Sequence, residues 1–571
     1  MRKVLSIRLL ILILSVFSFL TGFAQSRTIS GVVKDENGNV LPGATISIKN
    51  SRINTSTNEE GVFKIEMPAT AKNFTVSYAG KVPRDIAIGI QTVFPIVLNT
   101  NATALNDVVV IGYGKAKRAN LTAAQTTITS QQIEKTVNTT IEQALQGRSA
   151  GVFVTQNSGQ PGGGISVNIR GISSINGSTQ PLYVIDGVQI QSSQDVNYGG
   201  QSSADPLAGL NPEDVDDIQI LQGPSATAIY GSRGTNGVVL ITTKKGKAGT
   251  AKLNYGFQYN IQTPPKHLDV MDLQQYATLV KAYHRLTGGF TPIEFLDTSI
   301  LGKGTDWQTE LFKNAPMSKH QLSMSGGNDK TTYYLSGEYL NQDGIAIGSG
   351  FKRYGFRVNL DNKPRDWITI GTNLSFNQTN ENLTASQESV ISDALKLTPQ
   401  IPVRNLDGSW GGGDIINGST IYAPVNPIAI ANLKTNKFLR REFLGGLNVG
   451  INLAKGLVFR SAFNTKVGYA NSVYFLPTYS IGYAINVSAA FNNTNNLNTY
   501  WGWNQQLQYT KQLGKHSIDA MVTHESQASQ WNNTGAGRTG YLTNDILDIN
   551  AGDPLSSSNS GGSGQWGMES Y

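Results

Sequence analysis

The sequence contains no cysteine, which excludes disulfides, thiolate metal sites, a cysteine nucleophile and a lipid-modified N-terminal cysteine. Its five histidines are scattered, without the HExxH spacing of a zinc protease. Neither a G-x-S-x-G nucleophile elbow nor a Walker-type phosphate loop occurs. We therefore expect no enzyme, no catalytic or metal site and no cofactor. A secreted glycan hydrolase remains an alternative, but the sequence nominates no carboxylate pair for it. Asp214, Asp216 and Asp217 are expected to occupy a solvated turn near Pro212.

Long apolar runs are almost absent as well. The one exception covers residues 9–20, behind the positive charges of Arg2, Lys3 and Arg8. It is too short for a membrane-spanning helix, which needs about 20 apolar residues. Residues 1–24 instead have the pattern of a secretory signal peptide, with cleavage expected between Ala24 and Gln25.

Charged residues make up only 15% of the chain, and the net charge of +7 is dispersed. This distribution excludes a nucleic-acid partner, which requires a clustered basic surface. What the chain has in quantity is glycine (61 residues) and tyrosine (22 residues). Together they favour a mainly β protein with many turns, and 571 residues exceed one ordinary domain.

Three regions differ in pattern. Residues 26–98 contain short alternating strands separated by Asn/Gly turns, which predict a small antiparallel β-sandwich. Residues 115–246 have mixed α/β character, with a helix predicted at 139–146 and strands at 165–170, 182–185 and 237–243.

From residue 250 to 571 the strands become long and amphipathic. Tyr354, Phe356 and Val358, for example, alternate with Gly355 and Arg357. Successive hairpins with one apolar and one polar face favour a membrane β-barrel over a soluble sheet. The region contains about ten such strands, whereas a plugged outer-membrane transporter has about 22. We therefore expect an incomplete barrel in a C-terminally truncated fragment.

Residues 99–114 join the first two regions as a polar linker that ends in a β-prone octapeptide, DVVVIGYG (107–114). An extended segment with a free edge can be captured as an added strand of another protein's sheet. An ordinary edge strand would have the same composition. Its position, directly before a glycine-rich domain, favours capture.

Four motifs follow the octapeptide in order. They are LQGRSAGVFVTQNSGQPGGG (145–164), NIRGISSING (168–177), PLYVIDGV (181–188) and SATAIYGSRGTNGVVLITTKKGK (225–247). In this order they resemble the plug domain of SusC/RagA-family TonB-dependent outer-membrane transporters. Residues 26–98 resemble the carboxypeptidase-regulatory-like domain that often precedes such plugs, and the octapeptide resembles the TonB box.

The resemblance implies a plug at 115–246 within an antiparallel transmembrane β-barrel, with the sandwich and box on the periplasmic side of the outer membrane. It implies import of a nutrient, an oligosaccharide in preference to a peptide, driven by the proton-motive force. Expected partners are TonB with its ExbB/ExbD energising complex, a SusD-like surface lipoprotein and outer-membrane lipid. A secreted or surface ligand-binding β protein (an adhesin or receptor without transport) is the alternative.

The resemblance also assigns individual residues. Arg170 and Arg233, each followed by glycine, are expected to contact acidic groups on the inner barrel wall, with Glu338 and Glu442 as candidates. TonB is expected to bind the octapeptide, whose residues are Asp107, Val108, Val109, Val110, Ile111, Gly112, Tyr113 and Gly114.

Overall fold

The computed structural model divides into two compact units, residues 1–122 and 123–571. The signal segment and its expected cleavage residues, Ala24 and Gln25, lie outside the described residues. The structure describes residues 26–36, 38–48, 51, 53–68, 71, 73–78, 81–89, 91–99, 108–111, 114–117, 125–176, 178–190, 205–223, 227–264, 266–413, 415–416, 419–420, 424–514 and 516–571.

The first unit begins with a β-sandwich built around one apolar core. One sheet has the order β4-β1-β7 and the other β3-β2-β5-β6. The alternating strands bury one side each, with Ile29, Phe63 and Phe74 at the centre of the core. The strands are β1 Ser26–Asp35, β2 Thr45–Ile48, β3 Asn54–Ser56, β4 Val62–Pro68, β5 Asn73–Ser77, β6 Arg84–Ala87 and β7 Val93–Leu98.

One pairing in the sandwich differs from the all-antiparallel prediction. Strand β7 lies parallel to β1, with Ser30 opposite Val93 and Asp35 opposite Leu98. The alternation along β7 shows which side is buried, but not the direction of the neighbouring strand. Further along the chain, β8 (Val108–Ile111) pairs antiparallel with β9 (Gly114–Lys117).

The second unit begins with the plug, for which we use residues 125–243. A five-stranded sheet has the order β10-β15-β16-β13-β14, and β11 pairs with β12. Short helices cover Ser130–Ile133 and Ile141–Leu145, and 3-10 turns cover Pro212–Asp214 and Ala228–Gly234. The strands are β10 Gln125–Thr129, β11 Val152–Gln156, β12 Ile165–Ile169, β13 Leu182–Ile185, β14 Val188–Ile190, β15 Val215–Leu221 and β16 Val238–Thr243.

The plug packs against a ten-stranded antiparallel sheet, which we call the wall. Its order is β17-β18-β19-β20-β21-β24-β25-β28-β29-β30, so the expected count of ten strands is confirmed. The strands of this region are β17 Gly249–Gln262, β18 Ala315–Gly327, β19 Thr331–Asp343, β20 Ser349–Arg365, β21 Ile368–Leu383, β22 Ile415–Ile416, β23 Ser419–Thr420, β24 Thr435–Ala454, β25 Leu457–Leu476, β26 Tyr479–Ile481, β27 Ala484–Asn486, β28 Ala490–Leu513, β29 His516–Thr539 and β30 Ser558–Ser570.

The two ends of the wall carry connections of different length. Turns such as 328–330, 366–367 and 455–456 close one end, whereas connections such as 263–314 and 384–434 rise from the other. Short turns on one side and long loops on the other are typical of outer-membrane barrels. The longer connections contain helices Leu273–Thr287, Trp307–Leu311, Thr384–Gln387, Val390–Lys396 and Pro427–Leu433, and 3-10 turns Ile293–Phe295, Thr298–Ile300, Ile549–Ala551 and Pro554–Ser556.

No helix among the described residues combines the length and the apolar character that a membrane-spanning helix requires.

The wall is apolar outside and polar inside, the reverse of a water-soluble sheet. Positions that face the plug are buried and carry charge or amides, as in Lys319, Gln321, Glu338, Arg353, Arg357, Asn359, Arg440, Glu442, Lys466, Gln506 and Gln527. Alternate positions are exposed and apolar, as in Leu322, Tyr354, Phe356, Leu360, Leu374, Phe376, Phe443, Leu447, Phe463, Trp501, Trp503 and Leu507. A contiguous exposed apolar face of this size requires an apolar medium such as lipid.

An arginine on this outer face should therefore destabilise the wall in lipid. Phe356 is 54% exposed and lies in the middle of β20. We expect Phe356→Arg to cost about 2–4 kcal/mol of folding free energy in phospholipid vesicles, measured by denaturant titration. Phe356→Leu, which keeps the position apolar, is the control. Equal stability of the two variants in vesicles would show that the face meets water.

Candidate functional site

The plug–wall interface is centred on Arg353 of β20, which is fully buried. Its Nε and Nη2 donate to the two carboxylate oxygens of Glu338 on β19, at 2.9 and 2.8 Å. Its Nη1 donates to two plug carbonyls, Thr139 O at 2.9 Å and Ala208 O at 3.0 Å. The guanidinium thus makes four hydrogen bonds, of which the two to Thr139 O and Ala208 O join the wall to the plug. Lys319 of β18 stands 3.7 Å from Glu338, which adds a second buried cation.

The turn in PLYVIDGV provides a second contact. Asp186 and Gly187 both have positive φ (48° and 96°), as the two-residue turn between β13 and β14 requires, and Asp-Gly is a favoured pair there. The Asp186 carboxylate accepts from Thr243 N at 3.0 Å and lies 3.3 Å from Arg357 Nη1 on the wall. Asn464 Nδ2 donates to Gly187 O at 3.3 Å. The turn is therefore held by both the plug sheet and the wall.

Asp214 belongs to the same contact, contrary to the expectation of a solvated turn for Asp214, Asp216 and Asp217. It is buried, accepts from Tyr334 Oη at 2.9 Å, and lies 3.8 Å from Arg357 Nε. Burial raises the pKa of the Asp214 carboxyl, while Arg357 opposes that shift. The expectation was wrong for Asp214 because the wall that covers it lies more than 100 residues later in the chain.

Two further carboxyl groups, Glu142 and Asp205, are fully buried inside the plug. Burial raises the pKa of Glu142, and the negative charge of Asp205 raises it further. Burial also raises the pKa of Asp205. The wall residue Arg440 approaches this pair, with its Nη1 donating to Asp205 O at 2.6 Å. Burial therefore raises the pKa of both carboxyl groups, while the positive charge of Arg440 opposes this shift at Asp205.

Arg233, one of the two arginines selected from the sequence, lies at the far side of the interface. Its Nη2 stands 3.5 Å from Glu525 Oε2, and its Nη1 donates to Gln527 Oε1; both residues are on β29. Gln189 of β14 donates to the other Glu525 oxygen at 3.1 Å. Strand β29 is therefore joined to the plug by a charged contact that we call the Arg233 contact (Arg233, Gln189, Glu525 and Gln527).

Arg170 is placed differently. Its side chain is exposed, its φ is 60°, and its backbone N donates to Gly151 O at 2.8 Å. The two acids suggested as partners are buried on the plug-facing side, but they pair with cations of the wall itself. Glu338 binds Arg353, and Glu442 lies 3.5 Å from Lys466.

The expected TonB-binding octapeptide is described only in part. Val108–Ile111 forms strand β8 and Gly114 begins strand β9, while Asp107, Gly112 and Tyr113 lie outside the described residues. The pairing joins Val108 to Lys117 and Ile111 to Gly114. Since a two-stranded ribbon leaves one edge of β8 without a ladder partner within its sheet, a third strand can be added there.

The polar groups of this interface bind the plug to the wall. Buried cations are matched with carboxylates and carbonyls, which offsets the cost of removing them from water. Within the described part of the chain, no group of three or more His, Asp or Glu residues is arranged to hold a metal ion. Sequence reasoning missed Arg353, Arg357 and Arg440, although their plug-facing positions on amphipathic strands could have marked them.

Two family models match parts of the chain. The TonB-dependent Receptor Plug Domain matches residues 117–238. The CarboxypepD_reg-like domain matches residues 29–110. These ranges cover the plug strands through the start of β16 and the N-terminal sandwich, respectively.

Curated relatives match far more of the chain. TonB-dependent receptor SusC of Bacteroides thetaiotaomicron is 31% identical over 556 residues, which is 91% of this chain and 52% of the relative. TonB-dependent receptor P3 of Formosa agariphila is 31% identical over 543 residues, 92% of this chain and 50% of the relative. This chain is a homologue of the SusC-type TonB-dependent receptors. It spans about half the length of these relatives.

A solved structure, that of the RagAB peptide importer in the open-open state, shares the fold of this SusC-type homologue. The TM-score is 0.69 at 24% identity, and the match covers 81% of this chain and 53% of that chain. The prediction of a mainly β fold with a regulatory-like sandwich, a plug and an antiparallel barrel sheet is confirmed. The relatives are receptors rather than enzymes, and the outer membrane is the location of this family.

Removing the Arg353 side-chain charge should loosen the plug. Arg353→Met leaves Glu338 buried beside the more distant Lys319, and breaking a buried pair costs about 3–5 kcal/mol. Arg441→Met, on the exposed side of β24 two strands away, is the control and should change little. Denaturant unfolding and limited proteolysis of the plug in detergent would measure both. An Arg353→Met protein as stable and as protected as the control would contradict this role.

Proposed function

We propose that this chain acts in TonB-dependent import of a nutrient across the outer membrane, an oligosaccharide in preference to a peptide. The observation that supports this most directly is the reversed wall, because an apolar outer face suits lipid and a polar inner face suits a wet passage. The plug occupies the inner face, so passage requires part of the plug to move.

The order of strands in the plug suggests where a pulling force would act. Among the described strands, β10 is an edge strand, paired only with β15 through five residue pairs from Gln125 to Thr129. It is also the first plug strand after β9. A force applied at the N-terminal side would therefore load β10 first. An edge strand has the fewest hydrogen bonds to lose, so it would separate before the interior of the plug sheet.

The partner for this force is TonB, energised by ExbB/ExbD and the proton gradient. TonB would add a strand to the free edge of β8, since main-chain hydrogen bonds supply the affinity in strand addition. The interface is suited to reversible movement, because its polar groups can be hydrated when the plug shifts, whereas an apolar contact would be penalised in water. The contact of Arg233 with the wall is part of this proposal, and for exposed Arg170 a barrel contact stays a prediction.

The same proposal includes a SusD-like surface lipoprotein that covers the passage. The long connections at one end of the wall support it, since their buried residues Trp307, Leu311, Val390, Leu397 and Ile428 form a core of their own. Because this core fixes the loops in one arrangement, they form a defined surface on which a lipoprotein could bind. A secreted ligand-binding protein without transport, the alternative, does not explain the exposed apolar face of the wall.

A single proline in β8 tests the import function. Val109→Pro removes one backbone N–H and disfavours strand addition, whereas Val109→Thr keeps a β-branched residue and the donor. Screening glycans and peptides as sole carbon sources would first identify a nutrient on which growth requires the wild-type gene. We expect Val109→Pro to reduce growth on that nutrient at least tenfold. Surface binding of the same nutrient should stay within twofold. Unchanged growth with Val109→Pro, or lost binding, would refute TonB-dependent import through this strand.

A further inference from the structure

Trp531 of β29 is an aromatic residue on the plug-facing side of the wall. It is paired with Asn498 on β28 and Gly564 on β30. It also lies four residues along the strand from Gln527, which touches Arg233 of the plug. Alternate residues of a strand share a face, so Trp531 faces the same interior as Gln527. Its side chain is nevertheless 37% exposed, because it lies beyond the part of the wall that the plug covers.

The indole of Trp531 lies flat on β30. A Cβ added at Gly564 would stand 2.7 Å from the indole Nε1, and one added at Gly562 would stand 3.5 Å from Cζ3. Only glycine at 564 lets the ring approach the neighbouring strand this closely. One face of the indole is thus supported by the backbone, which leaves the opposite face turned to the interior.

A second indole extends this surface. Trp566 of β30 is paired with Ser529, two residues from Trp531. Its ring centroid lies 6.4 Å from that of Tyr500 on β28, which is itself buried. We call the two indoles, Trp531 and Trp566, the aromatic platform.

The surroundings of Trp531 are polar and uncharged. Within the described wall, the plug-facing positions next to it on β28, β29 and β30 are amide, hydroxyl or aromatic residues or glycine, and none carries a formal charge. These positions are Asn496, Asn498, Tyr500, Ser529, Asn533, Gly562, Gly564 and Trp566. A charged ligand group would lose water here without gaining an opposite charge.

The platform is continuous with the Arg233 contact. Tyr500 Oη donates to Gln527 Oε1 at 3.3 Å, and the same oxygen accepts from Arg233 Nη1. Trp531 stands four residues from Gln527, about 13 Å along the strand. A ligand at the Trp566 end of the platform would therefore be separated by the side chain of Tyr500 from a contact that holds the plug.

We propose that the aromatic platform is a ligand site that takes a neutral, ring-shaped, hydroxyl-bearing segment, the chemistry of a neutral oligosaccharide. The supported indole offers a flat apolar face for the C–H side of a sugar ring, and the adjacent amides match its hydroxyls. A peptide, with charged side chains and few flat apolar rings, fits this surface less well. The assignment rests on the proposed import function, because it takes the plug-facing side of the wall as the passage.

Two substitutions separate stacking from simple packing at this position. Trp531→Leu keeps an apolar side chain without an aromatic face, whereas Trp531→Phe keeps a smaller one. Trp501→Leu is the matched control, since Trp501 is 39% exposed on the outer face of neighbouring β28. Calorimetric titration of the full chain in detergent would use maltoheptaose, cellohexaose, xylohexaose and mannohexaose, with a tryptic peptide mixture as the competing class.

We expect at least one of the four oligosaccharides to bind. Trp531→Leu should weaken that binding tenfold or more and Trp531→Phe by no more than about fivefold, while Trp501→Leu stays within twofold. Binding of peptides alone, binding of none of the four sugars, or equal losses for Leu and Phe at 531 would overturn the site. If sugar binding requires Trp531 but growth is unchanged by Val109→Pro, the ligand site is supported and TonB-dependent import through β8 is refuted.

Discussion

Arg353 is fully buried between wall and plug, and its guanidinium can lose its water there because four acceptors surround it. An unmatched buried charge would cost several kcal/mol. The plug carbonyls of Thr139 and Ala208 therefore stabilise the buried charge of the wall, and the same hydrogen bonds hold the plug in place. Arg357 and Arg440 of the wall and Arg233 of the plug make further polar contacts across the same interface. Matched polar groups seat most of the plug, and a smaller apolar contact joins Ala208 of the plug to buried Met317, Leu340 and Phe351 of the wall. The exposed apolar residues of the wall lie on its outer face.

This division explains how one domain can be held firmly and still be displaced. Separating apolar surfaces in water costs free energy in proportion to the area that becomes exposed. Charged groups that separate regain hydration instead, so the net cost of opening is smaller than the contacts suggest. The plug also has an internal order of stability, because β10 is held at an edge while β16 lies between two strands with its side chains almost all buried. Movement confined to the edge would leave the central plug sheet intact.

The sequence predicted the elements more fully than their contacts. The alternation in β20 correctly separated exposed Phe356 from buried Arg357, because a strand has only two sides. The strand at Leu182–Ile185 was also predicted. The Asp-Gly turn after it was not, although turn chemistry is local and this pair is a known signal for it. Asp214 was mistaken for a solvated residue, because its partner Tyr334 is 120 residues away. The parallel partner of β7 and the helix Leu273–Thr287 were missed as well. Pairing across such separations depends on register, which composition does not specify.

The central claim is that the plug is seated directly against the polar side of the wall, and a cross-link tests it. A Cβ added at Gly209 of the plug would lie 3.2 Å from Cβ of Asn377 on β21, close to the separation in a disulfide. Because the chain has no cysteine, Gly209→Cys with Asn377→Cys would give a single thiol pair. The account predicts rapid disulfide formation in the membrane-inserted protein, detected by a mobility shift that a reductant reverses. Two thiols that both stay reactive to a maleimide under oxidising conditions would contradict it.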